Sequence, residues 1–78
     1  MSPVFTLYST WGCHLCEQAE QLLLQAGLKG QFQVTDIVDD EQAFARYRLT
    51  IPVLRLGDNE LCWPFDADRL ATWLKDVQ

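Results

Sequence analysis

The chain has few cysteines, few cations and no long apolar run, and each scarcity excludes a class of protein. Three cysteines among 78 residues are an odd number, which does not suit a secreted domain held together by disulfides. No apolar stretch approaches the roughly 18 residues of a membrane span. Six lysines and arginines against eleven aspartates and glutamates give a net charge of −5. We therefore expect no nucleic-acid partner and no anionic membrane partner.

The first residues also lack the features of an export signal. Met1-Ser2-Pro3-Val4 has neither a basic start nor a long apolar stretch, so we expect no signal peptide and a cytoplasmic protein. The cytoplasm keeps ordinary thiols reduced. Cys13 and Cys16, separated by two residues, therefore favour redox chemistry or metal binding over a structural disulfide. The length suits one domain over residues 1–78, which we expect to be a monomer.

Hydrophobic periodicity predicts four strands, over residues 4–8, 31–37, 51–56 and 60–63. The first follows Pro3 and is apolar on both faces, which is typical of a central strand. Gly57-Asp58-Asn59 separates the last two strands and favours a tight hairpin. Three helices complete the order β-α-β-α-β-β-α. The first begins at Cys13 and ends near Gly27.

Aspartates mark the starts of the other two helices. Asp39 or Asp40 is expected to cap a short second helix, and Asp66 to cap the last one. The first two strands, joined across a helix, should be parallel. We predict an α/β fold in which helices cover both faces of a four-stranded mixed sheet, an architecture that resembles the minimal thioredoxin-like fold.

The cysteine pair falls where the first strand has ended and the first helix begins. Unpaired backbone N–H groups and the positive end of the helix dipole favour a thiolate there, so we expect the pKa of Cys13 to be depressed toward neutrality. Protonated His14 would add to this effect, and Glu17 would oppose it. Cys16 falls on the apolar stripe of the helix, where burial disfavours its thiolate. The pattern predicts an attacking thiol at Cys13 and a sheltered, resolving thiol at Cys16.

Two neighbouring features suit the same chemistry. X-Pro bonds are those that adopt cis geometry at low cost, and a cis bond at Pro52 would leave the Ile51 backbone free to pair with an incoming peptide. Trp11, just before the cysteine pair, is expected to be a surface contact for partners.

The motif Tyr8-Ser9-x-x-Gly12-Cys13-x-x-Cys16, with Thr50-Ile51-Pro52-Val53 ahead of a hairpin and a last helix, resembles the glutaredoxins. More narrowly, it is similar to small bacterial glutaredoxin-like proteins with a Cys-His-Leu-Cys site, and the resemblance covers nearly the whole chain. It implies that Cys13 is the nucleophile, that Cys16 resolves, and that Pro52 is a cis-proline. Asp66 matches the acidic residue that meets the amino end of glutathione. We expect substrate contacts at Trp11, His14, Thr50, Ile51, Pro52 and Asp66.

Several positions depart from the family's pattern. Thr10 stands where many glutaredoxins have a lysine, and His14 replaces the proline common inside the motif. Cys62-Trp63-Pro64 fills the stretch where glutaredoxins usually have Gly-Gly beside the glutathione backbone, and Trp63 is expected to obstruct that groove. Leu7 stands where thioredoxins carry a buried aspartate. Neither signature is complete, so we expect no resident cofactor and treat glutathione as a candidate co-substrate.

These features predict a thiol–disulfide oxidoreductase that acts on disulfides of proteins or small molecules. Its electrons would come from glutathione or from a thioredoxin-reductase-type flavoprotein. Two alternatives stay open: a non-catalytic interaction module with the same fold, and a glutathione-binding or cluster-carrying module. A zinc site needs four ligands, and only His14 and Cys62 remain besides the pair, so we expect no metal. Cys62 is expected to be buried on its strand, or else to serve as a third redox thiol. Trp63 and Trp73 are expected to pack in the interior.

Overall fold

The computed structural model describes residues 4–77, and Pro3, expected to precede the first strand, lies outside them. The elements follow the predicted order. The strands are β1 (Phe5–Ser9), β2 (Phe32–Asp36), β3 (Val53–Leu56) and β4 (Asn59–Cys62). The helices are α1 (His14–Gln25), α2 (Glu41–Tyr47) and α3 (Ala67–Val77). Within this described part, none of the helices has the length and apolar character needed to cross a bilayer.

The four strands form one mixed sheet in the order β2-β1-β3-β4. β1 is central, as its apolar faces predicted. It runs parallel to β2, with Ser9 opposite Asp36, and antiparallel to β3, with Tyr8 opposite Val53. β3 and β4 form the predicted hairpin, with Val53 opposite Cys62. The carboxyl ends of β1, β2 and β4 and the amino end of β3 therefore meet at one end of the sheet, and the α/β prediction is confirmed.

Helices pack on both faces of this sheet, because neighbouring strand residues point to opposite sides. Val53 and Leu54 point to opposite faces of the sheet. α1 and α3 cover the face of Leu54 in a cluster whose fully buried members are Phe5, Leu7, Ala19, Leu23, Leu54 and Leu70. α2 covers the other face, where Ala43 and Tyr47 pack with Val53. The two clusters hold the sheet between a pair of helices and a single short one.

The segment between β2 and α2 differs from the predicted one. The strand expected over 31–37 ends at Asp36, because the Asp36 Oδ1 atom accepts a hydrogen bond from the Val38 backbone N at 3.0 Å and starts a 3₁₀ turn, Ile37–Asp39. Asp40, rather than Asp39, then caps α2: its Oδ1 accepts hydrogen bonds from the backbone N atoms of Gln42 and Ala43. A short side chain that satisfies free N–H groups is typical of such helix starts.

Two tryptophans pack as expected. The ring of Trp73 lies 5.9 Å from the ring of Phe5, and the ring of Trp63 meets the edge of Phe65 at 5.1 Å. Both side chains contact the cluster beneath α1 and α3. Trp63 thus contributes to the core beside the carboxyl end of β4.

Candidate active site

Cys13 is the N-cap residue of α1. Its backbone is extended, and its Sγ atom accepts a hydrogen bond from the backbone N of Cys16 at 3.1 Å. The carbonyl oxygen of Cys13 accepts the first helical bond, from the Glu17 N, at 3.2 Å. The sulfur therefore lies against the free N–H groups at the positive end of α1, where a thiolate is stabilised. The predicted placement of Cys13 at a helix start is confirmed.

Cys13 and Cys16 are joined by a disulfide, with their Cα atoms 5.2 Å apart. The two sulfurs differ in access: Cys16 is only 3% exposed, whereas Cys13 is half-buried. An incoming sulfur therefore reaches Cys13 first, and Cys16 can act only on its neighbour. The pair has the asymmetry that thiol–disulfide exchange needs.

The titratable side chains nearest to the cysteine pair, His14 and Glu17, have opposite effects on a Cys13 thiolate. His14 and Glu17 are both exposed, and the His14 Nδ1 atom lies 3.6 Å from Glu17 Oε2. This exposed contact is an ion pair only while His14 is protonated, and it then contributes about 0–1 kcal/mol. Thr10, at the position where a lysine was expected from the resemblance, accepts a hydrogen bond from the Cys13 N through its carbonyl oxygen at 3.4 Å. The helix start, rather than a side-chain cation, supplies the main positive field at Cys13.

The segment before β3 lies at the same end of the sheet. The Ile51–Pro52 bond is cis, as the resemblance implied. Tyr8 pairs with Val53, so Pro52 lies beside the chain that leaves β1 toward Cys13. The backbone N atoms of Thr50 and Ile51 donate to the Tyr47 carbonyl oxygen at 2.9 and 3.0 Å. The Ile51 N–H is therefore not free to pair with an incoming peptide, contrary to the expectation. We call this end of the sheet, with the disulfide and the Thr50–Pro52 segment, the cysteine end.

A side-chain network behind this segment was not predicted. The buried ring of Tyr47 stacks on Tyr8 at 4.6 Å, and its hydroxyl donates to Glu60 Oε1 at 3.0 Å. Arg46 Nη2 lies 2.6 Å from the same carboxylate oxygen, and Arg55 Nη1 donates to the Tyr47 hydroxyl at 3.4 Å. Burial, and then the bond to the Glu60 carboxylate and its negative charge, raise the pKa of Tyr47. The network ties α2 to the edge strand β4.

The two most exposed large apolar side chains of the described residues project from the cysteine end. Trp11 is 92% exposed, in the surface position that was predicted for it. Leu49, between α2 and β3, is 85% exposed and was not predicted. The available signal was slight: a leucine between Arg48 and Thr50 that fits neither the helical pattern before it nor the strand after it.

The prediction that Cys62 is buried is wrong, because its side chain is exposed. Leu61 points into the cluster under α1 and α3, so Cys62 points to the opposite face of β4. On that face the contacts from α2 go to Glu60 rather than to Cys62. β4 is also an edge strand, so none of the other strands in residues 4–77 covers the thiol.

The remaining predicted positions lie at or near the same end. Asp66 caps α3, because its Oδ1 accepts a hydrogen bond from the Arg69 backbone N at 2.8 Å, as predicted. Its contact with glutathione stays a prediction. The bond between Trp63 and Pro64 is also cis, which was not foreseen. Among residues 4–77, no group of three or more His, Cys, Asp or Glu side chains is placed to hold a metal ion.

Comparisons with known proteins agree with this architecture. A family model described as Glutaredoxin-like domain (DUF836) matches residues 4–75. The X-ray structure of target protein XcR50 from X. campestris is 44% identical, with a TM-score of 0.84, and the match covers 96% of this chain and 100% of that one. The solution structure of XcR50 is 45% identical, with a TM-score of 0.82 and 96% of each chain covered.

A more distant structure extends the comparison. Protein Ne2328 from Nitrosomonas europaea, solved by NMR, is 28% identical with a TM-score of 0.72, and the match covers 94% of this chain and 92% of that one. No curated protein matches the chain at a significant level. The family match spans nearly all of the described residues, and the solved relatives share the thioredoxin-like fold. The chain therefore belongs to the glutaredoxin-like domain family.

Proposed function

We propose that this chain is a thiol–disulfide oxidoreductase that exchanges electrons through Cys13 and Cys16. One observation carries the proposal: the bridged pair at the start of α1 combines a half-buried, N–H-bonded sulfur with an almost fully buried one. The N–H bond stabilises the Cys13 thiolate, which is the nucleophile in exchange. Burial keeps Cys16 from outside sulfurs and leaves it to resolve the intermediate.

The exchange runs in two displacements. The Cys13 thiolate attacks one sulfur of the substrate disulfide, and the other sulfur leaves as a thiolate. Cys16 then loses its proton and attacks the Cys13 Sγ, so that the substrate's remaining sulfur leaves as a second thiolate. The substrate gains two electrons, and two protons from Cys16 and solvent. The protein is left with the Cys13–Cys16 disulfide.

The cycle needs a reductant to reopen the bridge. We propose glutathione or a thioredoxin-reductase-type flavoprotein for this step, in the reducing cytoplasm, with the protein acting as a monomer. Thr10 replaces the expected lysine, and Trp63, packed on Phe65, stands in the stretch where the family usually has glycines. Both departures weigh against a dedicated glutathione groove. They favour a disulfide substrate that meets the outer surface of the cysteine end.

A redox titration tests the proposal. The protein is equilibrated in a graded dithiothreitol series, free thiols are alkylated, and the adducts are assigned to each cysteine by mass. We expect Cys13 and Cys16 to become protected together at one midpoint, with Cys62 alkylated throughout. The matched variant Cys62→Ser should keep this midpoint. A parallel glutathione series shows whether a glutathione adduct forms on the way.

Turnover is measured with a substrate disulfide and the same variants. Cys13→Ser should abolish reduction, and Cys16→Ser should trap a mixed disulfide between Cys13 and the substrate. If wild-type protein reduces no disulfide, the chain is a non-catalytic module with this fold. If Cys13→Ser reduces it as fast as wild type, a thiol other than Cys13 is the nucleophile. The redox proposal would then be wrong.

A further inference from the structure

The cysteine end carries an apolar surface that disulfide exchange by itself does not require. Trp11 and Leu49 are the two most exposed large apolar side chains among residues 4–77. Trp11 lies two residues before Cys13, and Leu49 lies three residues before Pro52. Exposed aromatic and aliphatic side chains beside a reactive group are typical of contacts for a partner.

The sheet topology brings these two side chains to the same end. Tyr8 pairs with Val53 in antiparallel β1 and β3. The chain that leaves β1 toward Trp11 therefore starts beside the chain that enters β3 from Leu49. The disulfide lies at the start of α1, directly after Trp11. A partner that presents sulfur to Cys13 thus meets apolar surface from both segments.

The charge around this surface has one dominant sign. Asp36, the last residue of β2, is paired with Ser9 of β1, and Asp39, Asp40 and Glu41 follow the strand. Asp39 and Glu41 are exposed. Asp66 and Asp68 add two carboxylates at the start of α3. Arg46, Arg48 and Arg69 are the cations nearest to these carboxylates along the chain, so the six carboxylates outnumber the cations. In the described residues, the two ion pairs engage other carboxylates, Glu17 and Glu60.

We infer that the substrate is a protein whose reactive cysteine lies in an exposed segment with a large apolar side chain and basic residues beside it. The inference depends on the proposed oxidoreductase function and specifies the class of protein that this function would act on. The apolar side chain would pack on Trp11 and Leu49. The basic residues would lie near the carboxylates that follow β2, which attract cations over about a Debye length, ~10 Å at 0.1 M salt. Such a field raises association rates by about 10-fold or more.

Matched peptide disulfides test the inference. Three short peptides, each with one cysteine, are oxidised to their symmetrical dimers. The first has Lys and Leu beside the cysteine, the second Glu and Leu, and the third Lys and Ser. Reduction by pre-reduced Cys62→Ser protein is followed by chromatography. The rate for each peptide is divided by its rate with dithiothreitol, which attacks as a thiolate as Cys13 does, so that the peptide's own reactivity toward a thiolate cancels.

We expect the Lys/Leu peptide to react about 10-fold faster than the Glu/Leu peptide at low salt. The ratio should fall toward one near 1 M salt, where the Debye length is about 3 Å. Asp39→Asn with Glu41→Gln should lower the ratio several-fold. Asp58→Asn, in the hairpin turn at the opposite end of the sheet, should leave it unchanged.

The apolar contact has its own variants. Trp11→Ala and Leu49→Ala should slow the Lys/Leu peptide several-fold and barely change the Lys/Ser peptide. Leu24→Ala, on the outer side of α1, should change neither. If the protein reduces all three peptides at equal corrected rates, or reduces oxidised glutathione faster than any of them, the inference is overturned while the redox function stands. If no disulfide is reduced, both proposals fail.

Discussion

The sharpest consequence of the N-cap geometry is a shift in the ionisation of Cys13. In the reduced protein, the Cys16 N–H that meets the Cys13 Sγ at 3.1 Å should hold the pKa of Cys13 below its ordinary value. The disulfide is reduced in Cys62→Ser protein. The variant then has two thiols, Cys13 and Cys16, and Cys16 is buried. A titration of the accessible thiolate then reports on Cys13.

The size of the effect follows from the contacts. A helix N-terminus stabilises a neighbouring negative charge by about 0.3–2 kcal/mol, and a hydrogen bond to a charged group contributes about 1.5–3 kcal/mol. The two figures overlap, because the same N–H groups carry both, and partial burial of Cys13 subtracts from them. A net stabilisation of about 1.4 kcal/mol would raise the thiolate-to-thiol ratio about 10-fold.

The assay follows ultraviolet absorbance of the thiolate, and separately the alkylation rate of Cys13, against pH. Glu17→Gln should depress the pKa of Cys13 further, because it removes a carboxylate in the first turn of α1. Glu20→Gln, almost one turn further along, is the matched control and should change it little. A folded protein whose Cys13 ionises no more easily than in the denatured chain would refute the reasoning.

The stability of the reduced protein should depend on pH for the same reason. A depressed pKa in the folded state contributes stability that is present above the unfolded pKa and lost as pH falls through the folded pKa. As the pH rises from below the folded pKa of Cys13 to above its unfolded pKa, the unfolding free energy of the reduced protein should therefore increase by about 1.4 kcal/mol. Oxidised protein has no Cys13 thiol to titrate and should show no such step.

Three further predictions concern stability measured in denaturant melts. Leu23→Ala, at a fully buried position, should lower the unfolding free energy by about 2–5 kcal/mol. Tyr47→Phe should cost about 0.5–1.5 kcal/mol, since it removes the bond to Glu60. Because burial raises the pKa of Tyr47, the wild-type contribution is full below the ordinary tyrosine value of 10.0 and is lost as pH rises through the raised value. Asp66→Ala should cost about 1 kcal/mol, and Asp66→Asn much less, because asparagine also caps helices.

Each of these has an outcome that contradicts it. A Leu23→Ala loss no larger than that of the exposed Leu24→Ala would mean that the cluster is loosely packed. If Tyr47→Phe and wild type lose stability equally above pH 10.0, Tyr47 is not the group responsible. If Asp66→Asn is as unstable as Asp66→Ala, the charge of Asp66 matters rather than its role as a cap.

Local patterns were sufficient for most of the fold, because they report on neighbours in the chain. The apolar spacing from Cys16 to Leu23 predicted α1, Gly57-Asp58-Asn59 predicted the hairpin, and an aspartate before a helical pattern predicted the cap at Asp66. The position of the cysteine pair at a helix start followed from the same reasoning.

The errors concern properties that depend on packing between elements. The burial of Cys62 was predicted from residue type, but it depends on which strand is at the edge of the sheet and which face α2 covers. The bond from Tyr47 to Glu60 joins residues 13 apart across a helix and a hairpin, and no local pattern indicates it. The exposure of Leu49 likewise follows from where α2 ends relative to β3.

The anchoring of the Thr50–Pro52 segment has a consequence for molecular recognition. The Tyr47 backbone holds the amides of Thr50 and Ile51, while its side chain is fixed by Tyr8 and Glu60. A loop restrained in this way has little conformational entropy left to lose when another molecule contacts it. Affinity at this surface should therefore depend on complementarity of shape and charge, and rearrangement of the loop should contribute little.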